Sequence, residues 1–186
     1  PMTLRYYGYS LNEAGEWAES QKAFQRYFAA TPQADAADYA YYGKLLIKLN
    51  EDSVAVANLG RSLDLNKQQP DVTRLLAETQ LKRRKYPEAA EAYRQVFATS
   101  RPQSQDYYSY GRACYFSQQF AQADTTFKRL SALQPAMAVG YLWEARTQSS
   151  LDPESEKGLA KPYYEKVIEL SLPTADRSKN ELIEAY

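Results

Sequence analysis

Small and large apolar residues recur along this chain every 34 or 35 positions. The segments beginning LRYYGYSL, YAYYGKLL, TRLLAETQ, YYSYGRAC and YLWEARTQ align on a small residue: Gly8, Gly43, Ala77, Gly111 and Ala145. A second small residue follows in each (Ser20, Ala55, Ala89, Ala123, Ala160), and four positions later a large one: Phe24, Leu59, Tyr93, Phe127 and Tyr164. Tyr27 and Phe28, Leu63, Val96 and Phe97, Leu130, and Val167 and Ile168 extend the same side by one turn. Spacings of three and four mark helices with one buried face. Self-similarity at a period of this length marks stacked supersecondary units. Each unit closes near a proline (Pro32, Pro70, Pro102, Pro135, Pro173), a residue that helix interiors reject. The pattern predicts two helices of about 12–15 residues per unit. Gly15 falls in the turn of the first unit, and Trp17, Tyr86 and Phe120 open second helices.

A helix-interior glycine costs about 1 kcal/mol relative to alanine. Gly8, Gly43 and Gly111, at one phase, therefore point to a helix packed close against that spot, with the second helix's small residue as its counterpart. Two units depart from regularity. The second has Lys67 where proline is expected and Pro70 three residues later. The fifth carries an insertion, and Pro162 predicts a kink or a late helix start near Lys161.

These features resemble the tetratricopeptide repeat family. YYGKLL and YYSYGRACY match the first half of its signature, and SQKAFQRYFAATP and ADTTFKRLSALQP the second. The resemblance spans residues 1 to about 173. It implies an all-α, right-handed superhelical solenoid, one array over 1–186, with repeats at about 1–34, 35–69, 70–103, 104–137 and 138–173. The remaining stretch, about 175–186, reads as an extra or capping helix. Its Leu182, Ile183 and Tyr186 are expected to cover the last hairpin, with Asp176, Arg177, Lys179 and Glu181 in solvent.

In the family the first helices line a concave groove. Carried onto this chain, the lining residues are Arg5, Tyr6 and Tyr9, Tyr41 and Lys44, and Arg74, Leu75 and Glu78. The fourth and fifth repeats add Tyr108, Ser109 and Arg112, then Leu142, Trp143 and Arg146, with Lys48, Lys82 and Tyr115 one turn on. The positions that grip a chaperone's C-terminal carboxylate in related arrays hold Arg5, Tyr9, Tyr41, Asp71 and Leu75 here, which disfavours that ligand.

Composition sharpens this picture. Tyr outnumbers Phe and Trp, 17 against 6 and 2, as suits the half-buried positions of a thin array. Basic and acidic residues balance at 23 each, so nucleic acid is not expected as a partner. The groove set is nonetheless basic and aromatic, placing the acids chiefly on second helices and turns. Large contact area with a directed polar group makes Arg and Tyr typical anchors. The expected function is a protein–protein interaction scaffold gripping an extended acidic or aromatic segment in the groove. The alternatives are a self-associating spacer of a larger envelope protein, homodimerising through open repeat ends, and an accessory arm of an enzyme or receptor.

No enzyme, metal site or cofactor is expected. The chain has no histidine and one cysteine, Cys114, whose helical phase suits packing. Its glycines are scattered rather than gathered into a phosphate loop. No apolar run reaches the roughly 18–20 residues needed to span a bilayer. The start at Pro1 and the stop at Tyr186, both inside helical patterns, suggest a fragment of a larger bacterial protein. The late block GLAKPYYEKVIELSLP resembles cell-envelope members of the family, implying the periplasm or envelope rather than the cytoplasm.

Overall fold

A computed structural model describes residues 2–172 and 179–185, which form eleven α-helices and no strand. Five helix pairs come first: α1 (Met2–Glu13) and α2 (Trp17–Ala30), α3 (Ala36–Lys48) and α4 (Asp52–Leu65), α5 (Pro70–Lys82) and α6 (Tyr86–Thr99), α7 (Ser104–Phe116) and α8 (Phe120–Leu133), and α9 (Ala138–Leu151) and α10 (Lys161–Ser171). A short α11 (Lys179–Ala185) follows. Trp17, Tyr86 and Phe120 are the first residues of α2, α6 and α8, and Pro70 opens α5. Helices of this length are marginal alone in water, so packing of their apolar faces holds them.

Contacts divide the chain into two compact units, residues 1–85 with 98–100, and residues 86–97 with 101–186. In the first unit α1 packs on α2, α2 on α3, α3 on α4 and α4 on α5. Phe24, Leu45, Leu46 and Leu59 are fully buried in its core, with Tyr27, Tyr39 and Tyr42 around them. In the second, α7 packs on α8, α8 on α9, α9 on α10, and α11 on α10 and α9. Tyr93, Val96, Phe127, Leu130 and Val167 are its largest fully buried apolar side chains.

The repeated glycines mark close approaches of the second helix of each pair. A Cβ on Gly43 would lie 2.7 Å from the Leu59 side chain, and one on Gly111 2.5 Å from the Phe127 ring. The large residue of the second helix lies over the glycine, and the small residue is close as well, a Gly43 Cβ lying 3.4 Å from the Ala55 carbonyl oxygen. The small residue lets the helices approach. In the first pair it also bonds, since Ser20 Oγ donates to the Gly8 carbonyl at 2.7 Å.

The turn inside each of the first four pairs repeats one backbone device. Gly15, Asn50, Arg84 and Gln118 all have φ between 58° and 82°. The next amide donates back across the helix end: Glu16 to Leu11, Glu51 to Leu46, Lys85 to Gln80 and Gln119 to Cys114, at 2.8–2.9 Å. These bonds satisfy carbonyls that a helix end leaves without intrahelical donors. The fifth pair differs. Its longer turn is pinned by Asp152, whose Oδ2 accepts from the backbone amides of Lys157 (3.0 Å) and Leu159 (3.4 Å).

The late start expected near Lys161 is observed, for α10 begins at that residue with Ala160 at its cap and Pro162 in its first turn. Two expectations need correction. Ile183 does not cover the last hairpin, being 66% exposed, while Leu182 is half-buried. Glu181, expected in solvent, is half-buried as well. Pro173, Asp176, Arg177 and Tyr186, and the expected capping helix outside 179–185, lie outside the described residues.

Candidate functional site

In the first unit most of the expected groove cations and tyrosines are spent on internal partners, chiefly carboxylates. Asp35 caps α3 and Asp38, three residues on, completes the reciprocal cap. That capping geometry turns the Asp38 carboxylate inward, where it is fully buried. Arg5 Nε donates to it at 2.5 Å, Tyr9 OH at 2.6 Å and Tyr27 OH at 2.7 Å. Arg5 also reaches Asp35 at 2.8 Å. Burial alone would raise the Asp38 pKa, but the hydrogen bonds from Tyr9 and Tyr27, the Asp35 amide and the Arg5 charge outweigh it, and the net shift is downward. Burial and the hydrogen bond to Asp38 push Tyr9 and Tyr27 up to about 12. Two acids that oppose this basic face therefore sit at the start of α3, Asp35 at its cap and Asp38 in its first turn.

Tyr41 packs on Tyr9 with ring centroids 4.3 Å apart, accepts from Asn12 at 2.7 Å and donates to Glu13 at 2.9 Å. Lys48 donates to Asn12 at 3.3 Å and lies 5.6 Å over the Trp17 ring. Lys82 pairs with Asp52 at 2.7 Å, and Arg74 with Asp71 at 3.3 Å. Lys44 is exposed and lines a cleft of about 460 Å³ with Tyr41, Gln69 and Asp71.

In the second unit the structure brings together Tyr108, Arg112, Tyr115, Trp143 and Arg146. The register of α7 puts Tyr108, Arg112 and Tyr115 on one side, since residues three and four apart share a helix face. Trp143 and Arg146 of α9 meet them. The Arg112 guanidinium lies 5.3 Å from the Tyr108 ring centre and 5.8 Å from that of Trp143. Arg146 lies over the same indole, at 4.6 Å from its centre. Tyr115 meets Trp143 edge-on at 5.4 Å, and its hydroxyl accepts from Ser150 at 3.1 Å. Trp143 itself is 6% exposed and stacks on Phe127, so it is a buried platform rather than an exposed anchor. Leu142 and Ser109, expected in the lining, are buried too.

The two arginines are repeat equivalents, 34 residues apart. Arg146 is occupied: its Nε donates to Glu184 Oε1 of α11 at 2.5 Å and its Nη2 donates to Glu184 Oε2. Arg112 has no carboxylate partner among the described residues, and its buried Nε has no hydrogen-bond acceptor. Sequence reasoning found all five residues but missed Glu184 and Asp38. A repeat signal was there for Asp38, since Asp106 occupies the same register two repeats later and is also buried.

Two further groups bear on chemistry. Cys114 is fully buried, and burial pushes its thiol up to about 11, so it stays protonated at neutral pH. Glu144, buried on α9, accepts from Ser131 Oγ. Burial raises its pKa, with the nearby Asp124 charge adding to the effect. Among the described residues no cluster of three His, Cys, Asp or Glu side chains is placed to hold a metal ion, and no helix is long and apolar enough to cross a membrane.

Comparison with solved structures identifies the architecture. The C-terminal part of a TPR repeat-containing protein from Cytophaga hutchinsonii superposes with a TM-score of 0.77 at 30% identity, over 100% of this chain and 72% of that one. MamA 41-end from Desulfovibrio magneticus RS-1 superposes with a TM-score of 0.69 at 18% identity, over 92% of this chain and 95% of that one. At that identity the second likeness concerns the fold alone. No protein-family model and no curated protein sequence matches the chain.

Proposed function

Because this chain belongs to the tetratricopeptide repeat family, we propose that it is a protein–protein interaction scaffold whose α7–α9 face grips an extended, acidic segment of a partner. The observation that carries this is the pair of equivalent arginines on one indole, one already holding a carboxylate and the other with none among the described residues. Arginine's planar fork matches a carboxylate at two points. Trp143 and Tyr108 orient the guanidiniums, and half-buried Tyr108 adds contact area for an aromatic neighbour in the bound segment. The first-unit face contributes less to this reading, because Arg5, Tyr9 and Tyr41 are held by internal partners. There Lys44 and its cleft remain the open feature.

Selection from a displayed random-peptide library tests the reading. Wild-type protein should enrich sequences bearing Asp or Glu next to aromatic residues, and Arg112→Glu should lose them while keeping wild-type helicity. Peptides without acidic enrichment, or equal retention by the variant, would overturn the assignment of this face.

A further inference from the structure

The face assigned above to an acidic segment is half filled by the chain itself. Glu184 meets Arg146 with both carboxylate oxygens, the fork geometry a partner's carboxylate would use. It does so from α11, a helix of seven residues, below the length that is stable alone in water. The packing of α11 is thin, for Ile183 is 66% exposed and Leu182 only half-buried. The ion pair is itself open to competition, since Arg146 and Glu184 side chains are 31% and 32% exposed. By contrast Arg5 holds a carboxylate that is 1% exposed and bound by two tyrosines. One pair is part of the core; the other can be exchanged.

We propose that α11 is an internal competitor for this face, and that an acidic partner segment anchors on Arg112, displaces Glu184 from Arg146 and releases α11. The inference rests on the reading of the face given under the proposed function. The partner's carboxylates take the two positions in order of availability, Arg112 first because nothing has to leave it. The apparent affinity of wild type is lowered by the fraction of molecules in which α11 is docked. Removing the Glu184 charge removes that handicap without touching a residue that the partner contacts.

The test is fluorescence anisotropy on the full chain, with a fluorescein-labelled peptide of alternating Glu and Tyr as probe, at low ionic strength. Glu184→Gln is expected to tighten binding about tenfold, the loss of one charge-assisted competitor. Glu184→Lys, which repels Arg146, should do the same or more and serves as the second variant. Arg112→Gln should weaken binding about tenfold or more. Saturating probe should also speed amide exchange across 179–185 in wild type. If Arg112→Gln weakens binding but both Glu184 variants bind as wild type does, the competitor is overturned and the face stands. The same holds if α11 exchange is unchanged at saturation. If Arg112→Gln has no effect, or no protein binds the probe, the reading of the face fails and the inference with it.

Discussion

Replacing Asp38 by Ala should cost the first unit about 3–5 kcal/mol, the range for removing one partner from a buried charge pair. The carboxylate is fully buried and receives Arg5, Tyr9 and Tyr27 within 2.5–2.7 Å. After its loss the Arg5 Nε and two hydroxyls lack their acceptor, while Arg5 keeps Asp35 through Nη2, so the cost is mainly the desolvation of those three donors. Asp38→Asn keeps the volume and removes the charge, and should fall between. The pH dependence has a definite sign. The folded-state pKa lies below the ordinary 3.8, so the stabilisation is complete above that value and is lost as pH falls through the folded pKa. Wild type should therefore lose its advantage over Asp38→Asn only below about pH 4. Equilibrium urea unfolding followed by far-UV circular dichroism, at pH 7 and in the acid range, measures both effects. Hydrogen exchange in α1 and α3 localises them, because repeat proteins unfold in sections. A cost below about 1 kcal/mol for Asp38→Ala, or an advantage over Asp38→Asn that is unchanged at low pH, would refute the network and return Arg5 and Tyr9 to the list of ligand contacts.

Two further perturbations follow from the same packing. Gly111→Ala drives a methyl to 2.5 Å from the buried Phe127 ring and should destabilise by about 1–3 kcal/mol, whereas Gly60→Ala, in the interior of α4 with nothing within 4 Å, should stabilise by about 0.5–1 kcal/mol. Thermal or urea unfolding of the two variants separates these opposite signs, and a stabilising Gly111→Ala would contradict the close approach of α7 and α8. Glu144 should behave in the reverse sense to Asp38. Its folded pKa lies above the ordinary 4.5, so its contribution is fully present below that value and is lost as pH rises through the folded pKa. Glu144→Gln, a mimic of the protonated acid, should be at least as stable as wild type at pH 7 and should flatten this part of the pH–stability curve. A variant clearly weaker than wild type at pH 7 would count against a buried, reluctantly ionised carboxyl.

The candidate site was legible to different depths at its two ends. The positions of Tyr108, Arg112, Tyr115, Trp143 and Arg146 follow from counting around Gly111 and Ala145, and the helices put them side by side. Their roles did not follow from counting. Trp143 shares the phase of Tyr41, yet it is a buried floor because the Phe127 ring stacks beneath it. Arg5 shares the phase of Arg74, yet it is locked to Asp38 because the cap of α3 turns that carboxylate inward. The turns show the same limit. Gly15 and, more weakly, Asn50 announce a left-handed residue, whereas Arg84 and Gln118 adopt that conformation with side chains that do not advertise it.

By itself the sequence determined the family of fold, the pairing of helices along the chain, and the points where two helices come close. These depend on the spacing of small and large residues, and helical geometry converts spacing into faces without reference to anything distant. Only the tertiary structure decided which charges are spent and which are free. Asp38 finds Arg5 33 residues away and Glu184 finds Arg146 38 residues away, while Arg112, at the same phase as Arg146, finds no carboxylate among the described residues. An ion pair depends on where side-chain tips end up within a few ångströms, and that is settled by packing between helices rather than by the phase of either residue on its own.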